Sequence, residues 1–78
     1  MNKLDTITPR EREVLCLIGE GLSSKQVADR LCLAKRTVDF HLARVYGKLD
    51  VSNRLEALRY IRIHTSEDDK EFYPIIRN

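Results

Sequence analysis

Residues 23–49, SSKQVADRLCLAKRTVDFHLARVYGKL, contain the most informative pattern for the architecture of this chain. Ser23 and Gln26 have the spacing of a capping box, which predicts that a short helix begins just after Ser23. The residues expected on the buried side of this helix are Val27, Ala28 and Leu31. Residues 32–34 then interrupt the apolar pattern without a glycine or a proline.

A longer helix is predicted to begin near Lys35. Its apolar residues form the one-sided stripe of a helix that packs on a core, and they are Val38, Leu42, Val45 and Leu49. Two helices that are joined by a short turn and cross steeply make a helix-turn-helix. We expect Ala28 and Cys32 to lie where the two backbones approach. Small residues also suit the contacts of any bundle of short helices, so this pattern leaves DNA binding and a plain bundle equally open.

Capping signals on either side predict two further helices. Thr8 and Glu11 form a second capping box, and Gly21 suits the left-handed conformation that ends a helix. After a break at residues 50–53, a last helix is expected to run to about His64. The prediction is therefore an all-α fold of four helices.

The predicted organisation is one helical domain, residues 8–64, between two segments. Residues 1–7 are expected to be a flexible leader. Residues 65–78 are expected to be an acidic C-terminal tail of net charge −2, whereas the whole chain is at +2. The remaining +4 suits a polyanionic partner, although an ordinary solvated surface explains it equally well. The tail residues that can dock back on the body are Phe72, Tyr73, Ile75 and Ile76.

Composition argues against several classes of protein. The chain of 78 residues suits one domain, and no apolar run approaches the ~18 residues of a membrane span. Residues 1–5 lack the apolar core of a signal peptide, so we expect a cytoplasmic protein. Cys16 and Cys32 are interpreted as small buried residues. Neither paired catalytic groups nor metal-ligand spacings are present, so we predict no enzyme, cofactor or metal site.

The predicted functional surface is the side of the Lys35 helix that is turned away from its apolar stripe. At about 100° per residue, Arg36, Phe40 and Ala43 fall opposite the stripe and would face the major groove of DNA. Arg36 suits a guanine edge or a phosphate, whereas Phe40 and Ala43 suit the methyl groups of thymine. The alternative for Phe40 is that it packs on the tail or on a second protein.

Phosphate contacts are expected beside this face, because they set the register of a protein on DNA. The residues assigned to this role are Thr37, Arg44 and Lys48 on one flank and Lys25 at the start of the shorter helix. The Asp39 carboxylate would be repelled by phosphate, so it needs another role. It either accepts a hydrogen bond from a cytosine amino group or pairs with Lys35 four residues earlier. We prefer the pair, because it keeps Lys35 oriented.

The last helix has a broader apolar surface than one layer of helices can cover. We therefore predict that it pairs with a second copy of the chain, and the alternative is that the tail covers it. The candidate interface residues are Leu55, Arg59, Tyr60, Arg62 and Ile63.

Most of the chain resembles the LuxR/GerE-type helix-turn-helix family. The matching segments lie within residues 6–62 and include ITPREREVL at 7–15, GLSSKQVA at 21–28, TVDFHL at 37–42 and VSNRLEA at 51–57. The resemblance implies a bacterial transcription regulator whose third helix reads DNA and whose fourth helix pairs subunits on dyad-symmetric sites. It also implies a domain that is attached to a receiver or ligand-sensing domain, or that stands alone as in GerE. We add Arg54, at the start of the predicted last helix, to the candidate DNA-binding residues.

Three positions depart from the family pattern. Ser or Thr is usual at Ala34, and a missing cap typically costs a helix ~1 kcal/mol. At the positions of Asp39 and Ala43, basic or polar residues are frequent in the family. The departures at these two positions imply a target site different from those of members that carry lysine there, or low affinity without a partner.

The predicted function is that of a dimeric transcription regulator that binds double-stranded DNA at specific sequences, with RNA polymerase or another regulator as a further partner. The rival prediction is a protein-interaction module that modulates another regulator by forming heterodimers through its last helix. Asp39, Ala43 and the acidic tail motivate this rival.

Overall fold

The computed structural model describes residues 3–65, Phe72 and Ile75. In this part of the chain all regular secondary structure is helical. The elements are a 3-10 turn (Lys3–Thr6) and the helices α1 (Pro9–Gly19), α2 (Ser24–Leu31), α3 (Lys35–Leu49) and α4 (Arg54–His64). The predicted all-α fold of four helices is confirmed. None of these helices combines the length and the apolar character needed to cross a bilayer.

Both predicted capping boxes are formed. The Glu11 N–H donates to the Thr8 hydroxyl at 3.1 Å, and the Thr8 N–H donates to the Glu11 carboxylate at 3.0 Å. Ser23 and Gln26 are joined in the same reciprocal way, at 3.2 and 2.8 Å. Ala34 provides no side-chain hydrogen bond at the start of α3. The position of α3 therefore depends on packing rather than on a cap.

The long helix α3 is the centre of the core. The four residues of its predicted stripe are all buried, and α3 packs against α1, α2, α4 and the 3-10 turn. The other helices contribute buried residues from one side each, which are Val14, Leu15 and Ile18 of α1, Val27 and Ala28 of α2, and Ala57 and Ile61 of α4. Because α3 is held along its whole inner side, its outer side is presented on a rigid support.

The turn between α2 and α3 corrects one prediction. Cys32 was expected at the buried helix crossing, but its side chain is exposed. Cys32 ends α2 in the left-handed conformation, with φ of 58°, and this turn directs its side chain away from the core. Ala28 alone is buried where close approach was expected, and Cys16 in α1 is half-buried rather than fully enclosed.

Both terminal segments contribute described residues to the core. Residues 1–7 were expected to be a flexible leader, yet Lys3–Thr6 is a regular turn and Ile7 is buried in the core. In the predicted tail, Phe72 and Ile75 are buried, at 4% and 1% exposure. Docking of these two residues is confirmed, while Tyr73 and Ile76 lie outside the described residues. Apolar side chains at these positions enlarge a core that is small in a chain of this size.

Candidate nucleic-acid interface

The outer side of α3 is open to solvent where the structure describes it. Arg36, Ala43 and Gly47 are exposed, and Phe40 has 59% of its surface exposed. The described residues of the tail, Phe72 and Ile75, therefore leave most of the Phe40 ring uncovered. An exposed aromatic ring between an arginine and two small residues forms an apolar surface with one forked donor beside it.

The Phe40 ring has two neighbours on its own helix. The guanidinium carbon of Arg44 lies 5.8 Å from the ring centroid, within the range of a cation–π contact. The His41 ring is tilted by 58° at a centroid distance of 6.2 Å. Arg44, which lies on the flank of the predicted groove face, thus also contacts Phe40 on that face.

Asp39 is held by its predicted partner. The Lys35 Nζ donates to the Asp39 Oδ2 at 2.8 Å, which confirms the expected pair four residues apart. The bond from Lys35 and the nearby Ser24 hydroxyl lower the pKa of Asp39, so the carboxylate is charged and compensates Lys35.

A buried carboxylate that the sequence did not reveal lies behind α3. The Glu11 side chain is only 2% exposed, and its Oε1 accepts from the Lys48 Nζ at 2.6 Å. Its Oε2 accepts from the Arg44 Nε at 3.2 Å. Burial alone raises the pKa of Glu11, but the bonds from Lys48, the Thr8 N–H and Arg44 outweigh burial and leave this pKa lowered. Glu11 is therefore an ionised anchor between α1 and α3.

The capping box explains why sequence reasoning missed this role. It accounted for Glu11 completely, and the two cations that bind it are 33 and 37 residues further along the chain. Separations of that length show no periodicity on one helix. The role of Glu11 as a partner of Arg44 and Lys48 becomes visible only when the packing of α1 against α3 is known.

The predicted phosphate-binding residues differ in how much of each side chain is available. Lys48 is 21% exposed, and its Nζ donates to the Thr6 carbonyl at 2.7 Å as well as to Glu11. Arg44 is 52% exposed and meets Glu11 through Nε. Two of the three donors of Lys48 are thus engaged, while Arg44 extends further into solvent.

The remaining candidates lie at helix starts. Lys25 is exposed in the first turn of α2, and Thr37 is half-buried in the first turn of α3. Arg54, the first residue of α4, is exposed and lies near Tyr46 of α3. Burial raises the pKa of Tyr46 despite this nearby cation. Thr37 lies at the start of α3, where backbone N–H groups favour anions. Arg54 instead lies near Tyr46, in the last turn of the same helix.

The predicted pairing surface on α4 is largely exposed. Leu55 and Ile63 are each 68% exposed, and Arg59 is exposed beside them. Tyr60 is half-buried and stacks on His64 with 4.1 Å between ring centroids. The Arg62 Nε donates to the Ile75 carbonyl at 3.2 Å, so this predicted interface residue binds the tail. Docking of Ile75 therefore leaves the Leu55 and Ile63 side of α4 open.

Metal-binding chemistry finds no support among residues 3–65, Phe72 and Ile75. No three His, Cys, Asp or Glu side chains of this set are grouped in a way that would hold a metal ion.

Comparison with known proteins places the chain among bacterial regulators. Residues 5–61 match the GerE family, described as "Bacterial regulatory proteins, luxR family". Over 56 residues the chain is 41% identical to the transcriptional regulatory protein LiaR of Bacillus subtilis, covering 72% of this chain and 26% of LiaR. Over 54 residues it is 43% identical to the DNA-binding transcriptional activator DevR/DosR of Mycobacterium tuberculosis, covering 69% and 25%. Over 52 residues it is 42% identical to the transcriptional activator protein SolR of Ralstonia solanacearum, covering 67% and 22%.

The similarity concerns one domain of these proteins. The chain spans about a quarter of the length of the three relatives that it matches. Among solved structures no significant match was found. The family match includes α1, α2 and α3 and most of α4, which contain the helix-turn-helix and the Glu11 anchor. On this evidence the chain belongs to the luxR family of bacterial regulatory proteins.

Proposed function

We propose that this chain is a transcription regulator that binds double-stranded DNA at specific sequences and inserts α3 into the major groove. The observation that carries this proposal is the open outer side of α3, with Arg36, Phe40 and Ala43 on a helix whose inner side is buried. A major groove admits one α-helix, and base edges are read there by forked donors and by apolar contacts. The relative DevR/DosR, which is named as a DNA-binding activator, supports the same function.

Base reading is assigned to three residues. Arg36 is exposed and presents the fork that suits the O6 and N7 acceptors of guanine. Phe40 and Ala43 are one turn apart and exposed, and both suit the C5-methyl group of thymine. Asp39 is paired with Lys35, so it contributes little to base reading.

Backbone contacts are assigned to the polar residues around α3. Those proposed to contact phosphate are Lys25, Lys35, Thr37, Arg44, Lys48 and Arg54. Arg44 offers more of its side chain than Lys48, at 52% against 21% exposure. Such contacts release counterions, so affinity should fall steeply as salt rises.

We further propose that the active form is a homodimer that pairs through α4 on a site with partial dyad symmetry. Leu55 and Ile63 support this step, because two large apolar side chains exposed on one helix favour burial against a partner. Arg59, Tyr60 and Arg62 lie on the same helix and would border that interface. A bound dimer would act with RNA polymerase or another regulator, and regulation of a bacterial chromosome implies a cytoplasmic protein.

The exposed side of α4 also favours a second candidate function. In this alternative, Leu55 and Ile63 bind a different regulator, and the heterodimer modulates its activity. The Asp39 carboxylate on α3, which opposes phosphate, is consistent with weak DNA binding by such a module.

The decisive experiment is selection of bound sites from a random duplex pool, followed by gel shifts of selected and random duplexes at low and high salt. We expect enrichment of a partly palindromic sequence and a preference for it that persists at high salt. Equal, weak binding to both duplexes would contradict the proposed function. Such a result, together with a tight protein partner, would favour the alternative.

A further inference from the structure

The buried Glu11 carboxylate connects α1 to the cationic flank of α3. It receives Lys48 at 2.6 Å and Arg44 at 3.2 Å and has almost no contact with solvent. We propose that Glu11 is a positioning residue for DNA recognition: it orients Arg44 and Lys48 and holds part of their charge back from phosphate. This inference rests on the proposed DNA-binding function and adds a residue that does not itself contact DNA.

The first step of the inference runs through Arg44. Its Nε donates to Glu11, and its guanidinium carbon lies 5.8 Å from the centre of the Phe40 ring. The side chain therefore links a buried anion to the exposed ring that is proposed to read bases. Loss of the carboxylate would release the guanidinium, and Phe40 would lose a neighbour that restricts its position.

The second step runs through Lys48. Its Nζ is shared between the Glu11 carboxylate and the Thr6 carbonyl, at 2.6 and 2.7 Å. The lysine thus fastens α3 both to α1 and to the turn that precedes it. A lysine in this arrangement directs its charge inward, and Glu11 compensates that charge.

The consequence concerns discrimination between DNA sequences. Binding to random DNA is almost entirely electrostatic, whereas binding to a target site also uses base contacts. Arg44, Lys48 and Glu11 together carry one net positive charge. Removing the Glu11 charge should therefore strengthen binding to random DNA while weakening the geometry on which target binding depends.

The test compares Glu11→Gln with the matched variant Glu13→Gln in the full chain. Glutamine can still accept the Thr8 N–H, so the cap is retained. Glu13 lies on the same helix, is half exposed and pairs with Arg10, so its substitution removes the same charge away from α3. Affinity is measured for the selected site and for a random duplex over a range of salt concentrations.

We expect Glu11→Gln to bind random DNA with a salt slope steeper by about 0.9, equivalent to roughly eightfold tighter binding at 0.1 M salt. Its preference for the selected site should fall relative to that of Glu13→Gln. Equal preferences in the two variants would overturn the inference while leaving the proposed function intact. An unmodified chain that shows no preference among duplexes would remove the proposed function and this inference with it.

A second variant separates positioning from charge and from loss of folding. Glu11→Gln with Lys48→Met has the net charge of the unmodified chain and leaves no buried lysine without its carboxylate. Because Arg44 is still released, its preference for the selected site should remain low. Recovery of the original preference in this folded variant would show that charge alone matters, and would overturn the positioning role.

Discussion

Ile75 lies directly over Gly19, so that a β-carbon added at Gly19 would collide with the Ile75 side chain. This contact attaches the C-terminal segment to the last residue of α1. It also gives a reason for glycine at this position, because any larger residue would meet Ile75. Ile75 can approach α1 this closely only because Gly19 has no side chain.

Substitution of Gly19 by alanine should consequently destabilise the protein. We expect a loss of about 1–3 kcal/mol in the free energy of unfolding, measured by urea denaturation, because overpacking forces a shift in the core. Gly47→Ala is the matched control, since a β-carbon there meets no atom within 4 Å. That control should gain roughly 0.5–1 kcal/mol from helix propensity. Equal gains at both positions would contradict the docking of Ile75.

The Glu11 anchor should make stability depend on pH. A carboxylate whose pKa is lower in the folded protein contributes its full stabilisation above its unfolded pKa, 4.5 for glutamate. That contribution is lost as pH falls through the lowered pKa of the folded protein. At pH 7, Glu11→Gln should cost about 1–3 kcal/mol, less than a fully buried pair because Arg44 and Lys48 are partly exposed.

The measurement is urea denaturation of the unmodified chain and Glu11→Gln between pH 7 and pH 3. The difference between them should shrink below the unfolded pKa. For Glu13→Gln the corresponding difference should be small throughout, since its pair with Arg10 is exposed. A difference for Glu11→Gln that stays constant down to pH 3 would exclude an ionised anchor.

Asp39 should limit affinity for DNA. Asp39→Asn removes the carboxylate that compensates Lys35, so both the affinity for all duplexes and the salt slope should increase, the slope by about 0.9. Binding to a random duplex at several salt concentrations measures both quantities. Asp29→Asn, an exposed acid on α2, is the comparison. A loss of binding in Asp39→Asn confined to sites with one particular base pair would instead indicate that Asp39 reads cytosine.

Phe40 should sense pyrimidine methyl groups. Replacing thymine by deoxyuridine at the contacted position removes one methyl and should weaken binding by about 0.8 kcal/mol, roughly fourfold in Kd. The effect should vanish in Phe40→Ala and persist in part in Phe40→Leu. Because the ring is exposed, Phe40→Ala should change the free energy of unfolding by less than about 0.5 kcal/mol. Equal sensitivity to deoxyuridine in all three proteins would exclude Phe40 from methyl reading.

The α4 surface should control assembly independently of DNA reading. Leu55→Glu together with Ile63→Glu should yield a folded monomer in sedimentation, with weak binding to the full site. Phe40→Glu is the reciprocal control, since it introduces an acid at an exposed apolar position on α3. It should retain the dimer and lose DNA binding. A dimer that survives the double substitution would place the subunit interface elsewhere.

Local patterns in the sequence were sufficient to predict the four helices and the residues that cap the first turns of α1 and α2. The capping boxes at Thr8 and Ser23, the α3 stripe and the Lys35–Asp39 pair each involve residues within about three turns of one helix, so one helix geometry relates them. The same periodicity identified the outer side of α3 as exposed. The breadth of the apolar surface on α4 predicted its pairing, and the family resemblance implied the same. The exposed Leu55 and Ile63 support this prediction without testing it.

The pairing of charges and side chains that are distant in the sequence became visible only in the tertiary structure. Glu11 meets Arg44 and Lys48 because α1 and α3 pack together, and Gly19 meets Ile75 because the chain returns to α1. Likewise, Cys32 is exposed because a left-handed turn, rather than its apolar neighbours, sets its direction. The physical reason is that periodicity shows which side of a helix is buried but carries no information about which distant residue will face it.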